Sequence, residues 1–337
     1  MKKIGFLSFG HYRDVPGARV PSAAQALRDH VELARIADEV GIDGAWVRVH
    51  HFEESMAAPF PLLSAMAAVT TTLDVGTGVV DLRYENPLYL AEEAAATDLL
   101  SSGRLQLGVS RGSPEQAADG QAQFGYHLAD GETWAEHSQA KVRRFLNAIK
   151  GAPIAHSARA QTLGEGPDLP IRPLSPGLRD RIWWGAATHA TGVTVGEQGM
   201  NLISSTVMLS EDGRPFHVQQ ADQVRDYRAA YRSAGHAGPG LAAVTRPVFP
   251  ITGDTDRRYF GTRGKGADSV GFFDGSNARS GPTMAGDIEQ LVQKLSADEG
   301  VTEADYVLFT MPSHLGVDYN AHWMSNLVVL AKELGWK

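Results

Sequence analysis

The sequence contains no cysteine, which excludes disulfides, thiolate zinc sites, iron-sulfur clusters and thiol nucleophiles together. Any chemistry must come from histidine, carboxylate or hydroxyl side chains, or from a bound cofactor. A surplus of positive charge is also missing: 31 Lys+Arg stand against 39 Asp+Glu, a formal charge of −8. No nucleic-acid partner is expected from that balance. Long apolar runs are absent too. The most apolar stretch, 57–69, is broken by Pro59, Pro61 and Ser64 and falls short of the ~20 residues that cross a bilayer, so no membrane association is expected. The apolar run before Gly10 is short and has no small-residue cleavage site after it, and a cytoplasmic location is expected. Gly103, Gly108 and Gly112 are too widely spaced for a dinucleotide fingerprint.

What is present is an ordinary globular composition, 43% hydrophobic and 21% charged over 337 residues. Apolar runs read as strands at 3–9, 44–52, 73–81, 104–110, 181–186, 200–205, 241–251 and 306–310. Helical spacing fills the intervals: Ser22 caps a helix carrying Leu27, Val31 and Ala34 that stops at Gly41, and Pro87 opens another through Ala91 and Ala95. Further helices are expected after Pro61, at 134–149, from Ala190, and at 218–234, 288–295 and 320–334. Strict alternation of eight strands with eight helices predicts an α/β fold, a (β/α)8 TIM barrel. A typical barrel takes about 250 residues, so roughly 85 are surplus. They are expected in long insertions after strands 4 and 7, mobile loops at about 113–180 and 253–286, within one domain spanning 1–337. The second insertion reads as glycine-rich and strand-poor, a lid in which Arg257, Arg258, Arg263 and Lys265 form either a solvated charge run or an anion-facing edge.

Barrel chemistry sits at strand C-termini, so position singles out four clusters. His50-His51 closes the second strand, and alternation allows only one imidazole to face the mouth, which weakens a paired metal-ligand reading. Glu53 and Glu54 read as a solvated face. Gly76-Thr-Gly-Val-Val80 removes side chains where a planar ligand or a neighbouring element comes close. Gly108-Val-Ser-Arg-Gly112 offers a guanidinium for a bidentate phosphate contact, or an ordinary turn arginine. Trp183-Trp184-Gly-Ala-Ala-Thr188-His-Ala-Thr191 runs from a strand into a helix start, where N–H groups and hydroxyls can hold a phosphate, or Thr188 can simply cap the helix.

Taken together, these segments resemble the bacterial luciferase-like flavin-dependent monooxygenases. The match runs from Glu32 through Gly41 and Trp46 to His50-His51-Phe52, then Gly76 to Val80, Asn86-Pro87 through Ala91-Glu92-Glu93 to Asp98, and Leu100-Ser-Ser-Gly-Arg104 through Gly108 to Arg111-Gly112. It is strong over 3–112, recurs at 182–205 and 286–315, and is weak in both long loops. The resemblance implies a barrel that binds reduced FMN as cosubstrate at its mouth and uses O2 to oxidise a small organic substrate. His50 corresponds to the family's active-site histidine, an acid/base beside the flavin-oxygen adduct. Gly78 and Val79 line the flavin ring, with a non-proline cis peptide between them. Ser110 and Arg111, with Ala187, Thr188 and Thr191, hold the phosphate. Reduced flavin is expected from a separate NAD(P)H-dependent flavin reductase, and the chain is expected to be a homodimer. No metal ligand is assigned.

Three departures concern the substrate. Val49 stands where relatives carry an acid, Arg48 replaces a small residue, and Asp81-Leu-Arg83-Tyr84-Glu85 replaces an apolar-Leu-Pro-Leu-Arg pattern. Two alternatives stay open: a deazaflavin-dependent oxidoreductase that transfers hydride, and a non-catalytic flavin-binding subunit.

Overall fold

Short runs of Val, Ile, Leu and Phe form eight parallel strands: β1 (Lys3–Ser8), β2 (Gly44–Val47), β3 (Asp74–Asp81), β4 (Leu105–Ser110), β5 (Ile182–Ala186), β6 (Asn201–Ser204), β7 (Ala242–Arg246) and β8 (Tyr306–Met311). The computed structural model describes residues 1–112, 116–158, 167–209, 212–262 and 266–337. The strands close in the order β1-β8-β7-β6-β5-β4-β3-β2, so each strand pairs with its sequence neighbours and β8 returns to β1. This is the expected (β/α)8 barrel.

The outer layer is made of α1 (Ala23–Val40), α2 (Pro59–Ala68), α3 (Pro87–Leu100), α4 (Trp134–Ile149), α5 (His189–Glu197), α6 (Phe216–Ser233), α7 (Ile288–Ser296) and α8 (Gly316–Glu333). Local sequence sets their ends. The Ser22 side chain accepts from Gln25 N–H at the start of α1, and Gly41, at φ 91°, closes it in a left-handed turn. Asn86 caps α3 ahead of Pro87, and Thr133 with Glu136 forms a capping box on α4. No helix among the described residues is long and apolar enough to cross a membrane.

Alternation along the strands divides the core in two. Outward residues such as Ile4, Phe6, Val47, Leu107 and Val244 pack under the helices. Inward residues Leu7, Trp46, Trp183, Ile203, Ala243, Tyr306 and Leu308 fill the barrel. Trp46 meets both Trp183 and Tyr306 edge to face at 5.5 Å. Burial pushes the Tyr306 phenol well above its usual range, so it stays neutral below the barrel centre. Three rings of this size need space, and Gly5, Gly44 and Gly76 provide it. A Cβ at Gly44 would stand 1.9 Å from the Tyr306 hydroxyl.

The structure corrects three details. The expected strand 241–251 is two: β7 ends at Arg246, and after Pro247 the segment Val248–Pro250 leaves the barrel to pair with Met284–Gly286. Proline cannot donate to the ladder, which is why the break falls there. The insertion after β7 is not strand-poor. It holds a helix, Asp254–Phe260, and a hairpin, Ser269–Phe273 with Ser276–Ser280, whose second strand pairs with Val207–Met208 beyond β6. Finally, β2 stops at Val47 rather than running to Phe52.

Candidate active site

The mouth at the strand C-termini is paved with small residues on one side. Gly78 and Val79 lie where β3 shifts register against β4 between Thr77 and Val80, and the shift turns both toward the interior. The peptide between them is cis, as expected. A Cβ at Gly78 would stand 2.9 Å from Leu7, and Val79 packs on the interior cluster that includes Leu7 and Ile203. A Cβ at Gly185 would stand 3.3 Å from Val79 Cγ1 and 3.5 Å from Ser110 Cβ. Leu7, Gly78, Val79, Gly185 and Ile203 therefore pack together as an apolar floor.

His50 follows three residues after the end of β2, the strand that pairs with β3. Its N–H donates to Met56 O at 2.9 Å, which fixes the chain after β2, and its ring is nearly buried. Glu53 Oε1 lies 3.8 Å from His50 Nδ1, with the Glu53 side chain only 20% exposed. Glu53 is thus half-buried against the histidine and not the solvated face expected from sequence, whereas Glu54 is exposed. The two imidazoles diverge. His51 packs on Tyr84 in a tilted contact at 4.4 Å and meets Phe124 edge-on at 4.9 Å, outside the floor. Among the described residues no three His, Asp or Glu side chains group as a metal site.

The anion-binding candidates lie further round. Ser110 Oγ accepts from Gly112 N–H at 2.9 Å, shaping the turn that presents Arg111. Gly112, at φ 87°, has Asp81 so close that a Cβ would stand 2.0 Å from its Oδ2. Asp81 in turn holds the Arg83 guanidinium at 2.6 Å. Arg111 pairs with Asp274 at the tip of the hairpin in the second insertion. Thr188 caps α5: its hydroxyl accepts from Thr191 N–H at 3.2 Å and lies 2.9 Å from the Thr191 hydroxyl. Ala187 O accepts from Leu209 N–H at 2.8 Å. Because β4 and β5 pair, with Val109 opposite Trp184, the Arg111 and Thr188 turns are neighbours.

Residues expected from sequence thus occupy the ends of four consecutive strands, β2 to β5. Residues 4–260 match the family described as luciferase-like monooxygenase. The chain belongs to that family. Among its relatives is the oxygenase component of a flavin-dependent trigonelline monooxygenase from Acinetobacter baylyi, 38% identical over 91 residues, which are 26% of this chain and 25% of that one. A second curated relative is half covered, so the chain spans a quarter to a half of these relatives. Solved structures share the fold. The oxygenating constituent of 3,6-diketocamphane monooxygenase from Pseudomonas putida, in complex with FMN, has a TM-score of 0.68 at 18% identity, covering 99% of this chain and 98% of its own. The coenzyme F420-dependent tetrahydromethanopterin reductase of Methanopyrus kandleri has a TM-score of 0.65 at 15% identity, covering 97% and 98%.

Three residues at these strand ends and turns carry no local sequence signal: Glu53 reads as solvated, Asp274 lies 163 residues from its partner Arg111, and Phe9 belongs to no motif. The cationic edge expected at Arg257, Arg258, Arg263 and Lys265 is only partly described. Arg257 lines a hollow of 550 Å³ with Gln290 and Lys294, on the side of α7, and Arg263 and Lys265 lie outside the described residues. A second hollow, of 510 Å³, is lined by His189, Arg214 and Arg225 with Asp212, Asp222 and Asp226. Its arginines are already paired to those carboxylates.

Proposed function

We propose that this chain is the oxygenase of a two-component flavin system, taking reduced FMN and O2 at the barrel mouth to oxidise a small organic substrate. The observation that carries this reading is the arc from β2 to β5: an imidazole, a small-residue floor and a hydroxyl- and guanidinium-bearing end, in that order. The residues fit the cofactor. Gly78 and Gly185 add no side chains of their own and let Leu7 and Val79 pack closely into an apolar surface against which a ring system could lie, and Ser110, Arg111, Thr188 and Thr191 supply donors for a phosphate.

Bound reduced FMN supplies the electrons for oxygen chemistry. The chain does the rest. Leu7, Val79 and Ile203 exclude water from one face of the site. Glu53 Oε1 stands 3.8 Å from His50 Nδ1, and the other ring nitrogen, Nε2, is assigned to proton transfer. Arg111 and the α5 start would hold the phosphate end of the cofactor. The trigonelline relative is described as an oxygenase component, which supports delivery of reduced flavin by a separate NAD(P)H-dependent reductase. We also propose a homodimer, as the resemblance implies.

Anaerobic titration with reduced FMN and, separately, with reduced F420 tests the assignment. Saturable binding of reduced FMN, with F420 at least tenfold weaker, is expected. The reverse order would move the chain to the deazaflavin hydride-transfer reading.

A further inference from the structure

Gln223, on α6, is 0% exposed, and both ends of its amide are engaged. Its Nε2 donates to Thr188 O at 2.8 Å and to Ala186 O at 3.3 Å, while its Oε1 accepts from the Ser204 hydroxyl at 2.6 Å. The opposite amide orientation would set Oε1 against two carbonyls, so these partners fix which end is which. One buried amide thus braces the end of β6 against the last residue of β5 and the cap of α5. Close packing lets it reach them. Gly192 and Gly196 lie one turn apart on the face of α5 that meets α6. A Cβ at Gly192 would stand 3.0 Å from Gln223 Cγ, and one at Gly196 would stand 2.4 Å from Tyr227 O.

The consequence concerns backbone donors. Three consecutive carbonyls are held from the side of β6 and α6: Ala186 O by Ser205 N–H at 2.9 Å, Ala187 O by Leu209 N–H at 2.8 Å, and Thr188 O by Gln223. These peptides are trans, and in a trans peptide the C=O and the following N–H point opposite ways. The N–H groups of Ala187, Thr188 and His189 are therefore turned away from β6 and α6. On the other edge of β5 lies β4, which carries the Arg111 turn. We propose that Gln223 is a positioning residue for the cofactor phosphate, acting from behind the turn to fix the peptide planes whose N–H groups meet that phosphate beside Arg111. The proposal rests on the assignment of this turn to the phosphate end of FMN.

The test is anaerobic titration of the full chain with reduced FMN and with reduced riboflavin, which lacks the phosphate. The ratio of the two affinities reads what the phosphate contributes, and a general loss of packing does not move it. Wild type is expected to prefer FMN by about tenfold or more. Gln223→Met, which keeps the volume and removes the amide, is expected to weaken FMN about tenfold and to leave riboflavin within about twofold. Ser204→Ala frees one end of the amide and is expected to give a smaller loss, again confined to FMN; it decides the proposal if Gln223→Met does not fold. The phosphorus-31 resonance of bound FMN should also move toward its position in free FMN in either variant. Unchanged preference for FMN, or equal losses for both flavins, would overturn the proposal, and the second result would leave Gln223 a purely structural residue. A wild-type chain that binds FMN no more tightly than riboflavin would overturn the phosphate assignment itself, and the role of Gln223 with it.

Discussion

Arg111, at the end of β4, is held by Asp274, a hairpin-tip carboxylate contributed by the insertion after β7. The guanidinium assigned to a cofactor phosphate thus has an internal anion as its partner. The Arg111 and Asp274 side chains are 46% and 28% exposed, so the pair contributes only about 0–1 kcal/mol to stability. Its importance lies in competition. Asp274→Asn should tighten FMN severalfold, and Arg111→Gln should weaken FMN about tenfold while leaving riboflavin nearly unaffected. Fluorescence titration with both flavins measures this, and equal losses for FMN and riboflavin would place Arg111 away from the phosphate.

Gly112→Ala should destabilise the chain by ~1–3 kcal/mol. Two effects add: a left-handed backbone at φ 87° and a Cβ driven against the Asp81 carboxylate. Urea denaturation gives the magnitude. The same variant should lose FMN affinity, because Gly112 shapes the turn that carries Arg111; normal affinity in a destabilised chain would separate the turn from the site.

Arg246 and Asp298 form a buried bidentate pair, with Arg246 Nε 2.7 Å and Nη2 2.8 Å from the carboxylate. Arg246→Met leaves a buried carboxylate without its counter-charge and should cost ~3–5 kcal/mol. Replacing both partners with apolar residues should cost less than the single change, a comparison that thermal melts resolve.

Stability should depend on pH through Glu85 and Lys141, beneath the Asp81 to Glu85 segment. Burial, and then the nearby Glu93, raises the Glu85 carboxyl to about 7. Burial lowers the Lys141 ammonium to about 8, against the opposing pull of Glu85 and Asp81, and the Tyr126 ring lies 3.4 Å from that ammonium. The folded Glu85 keeps a proton that the unfolded chain has lost, so stability falls as pH rises from the ordinary 4.5 through about 7. Lys141 works in the opposite sense. Its folded form gives up a proton early, so stability rises between about 8 and 10.5. Urea melts at pH 5 and 7.5 should therefore show a decline that Glu85→Gln flattens, and an unchanged slope in the variant would assign the effect elsewhere.

Much of this was readable from the sequence, for a physical reason. Period-two apolar runs and 3.6-residue spacing gave the strand and helix order because barrel strands and flank helices each bury a regular face. His50, Gly78, Val79 and Arg111 stood out because barrel function gathers at strand ends. Pairings across long sequence distances did not show. Nothing local in Asp274 points to Arg111, and Phe9 becomes notable only once the ladder sets Arg48 over it. Glu53 was misjudged because the strand expected to run to Phe52 ends at Val47, and the chain folds back to bring the carboxylate under His50.

The most direct test of oxygenase function is an oxygen pulse on the chain preloaded with reduced FMN, followed by stopped-flow absorbance. A distinct absorbing species that precedes oxidised FMN, and that decays faster in His50→Gln, is the expected result. Oxidised FMN rising in one phase, at the rate of free reduced flavin and identically in His50→Gln, would contradict it.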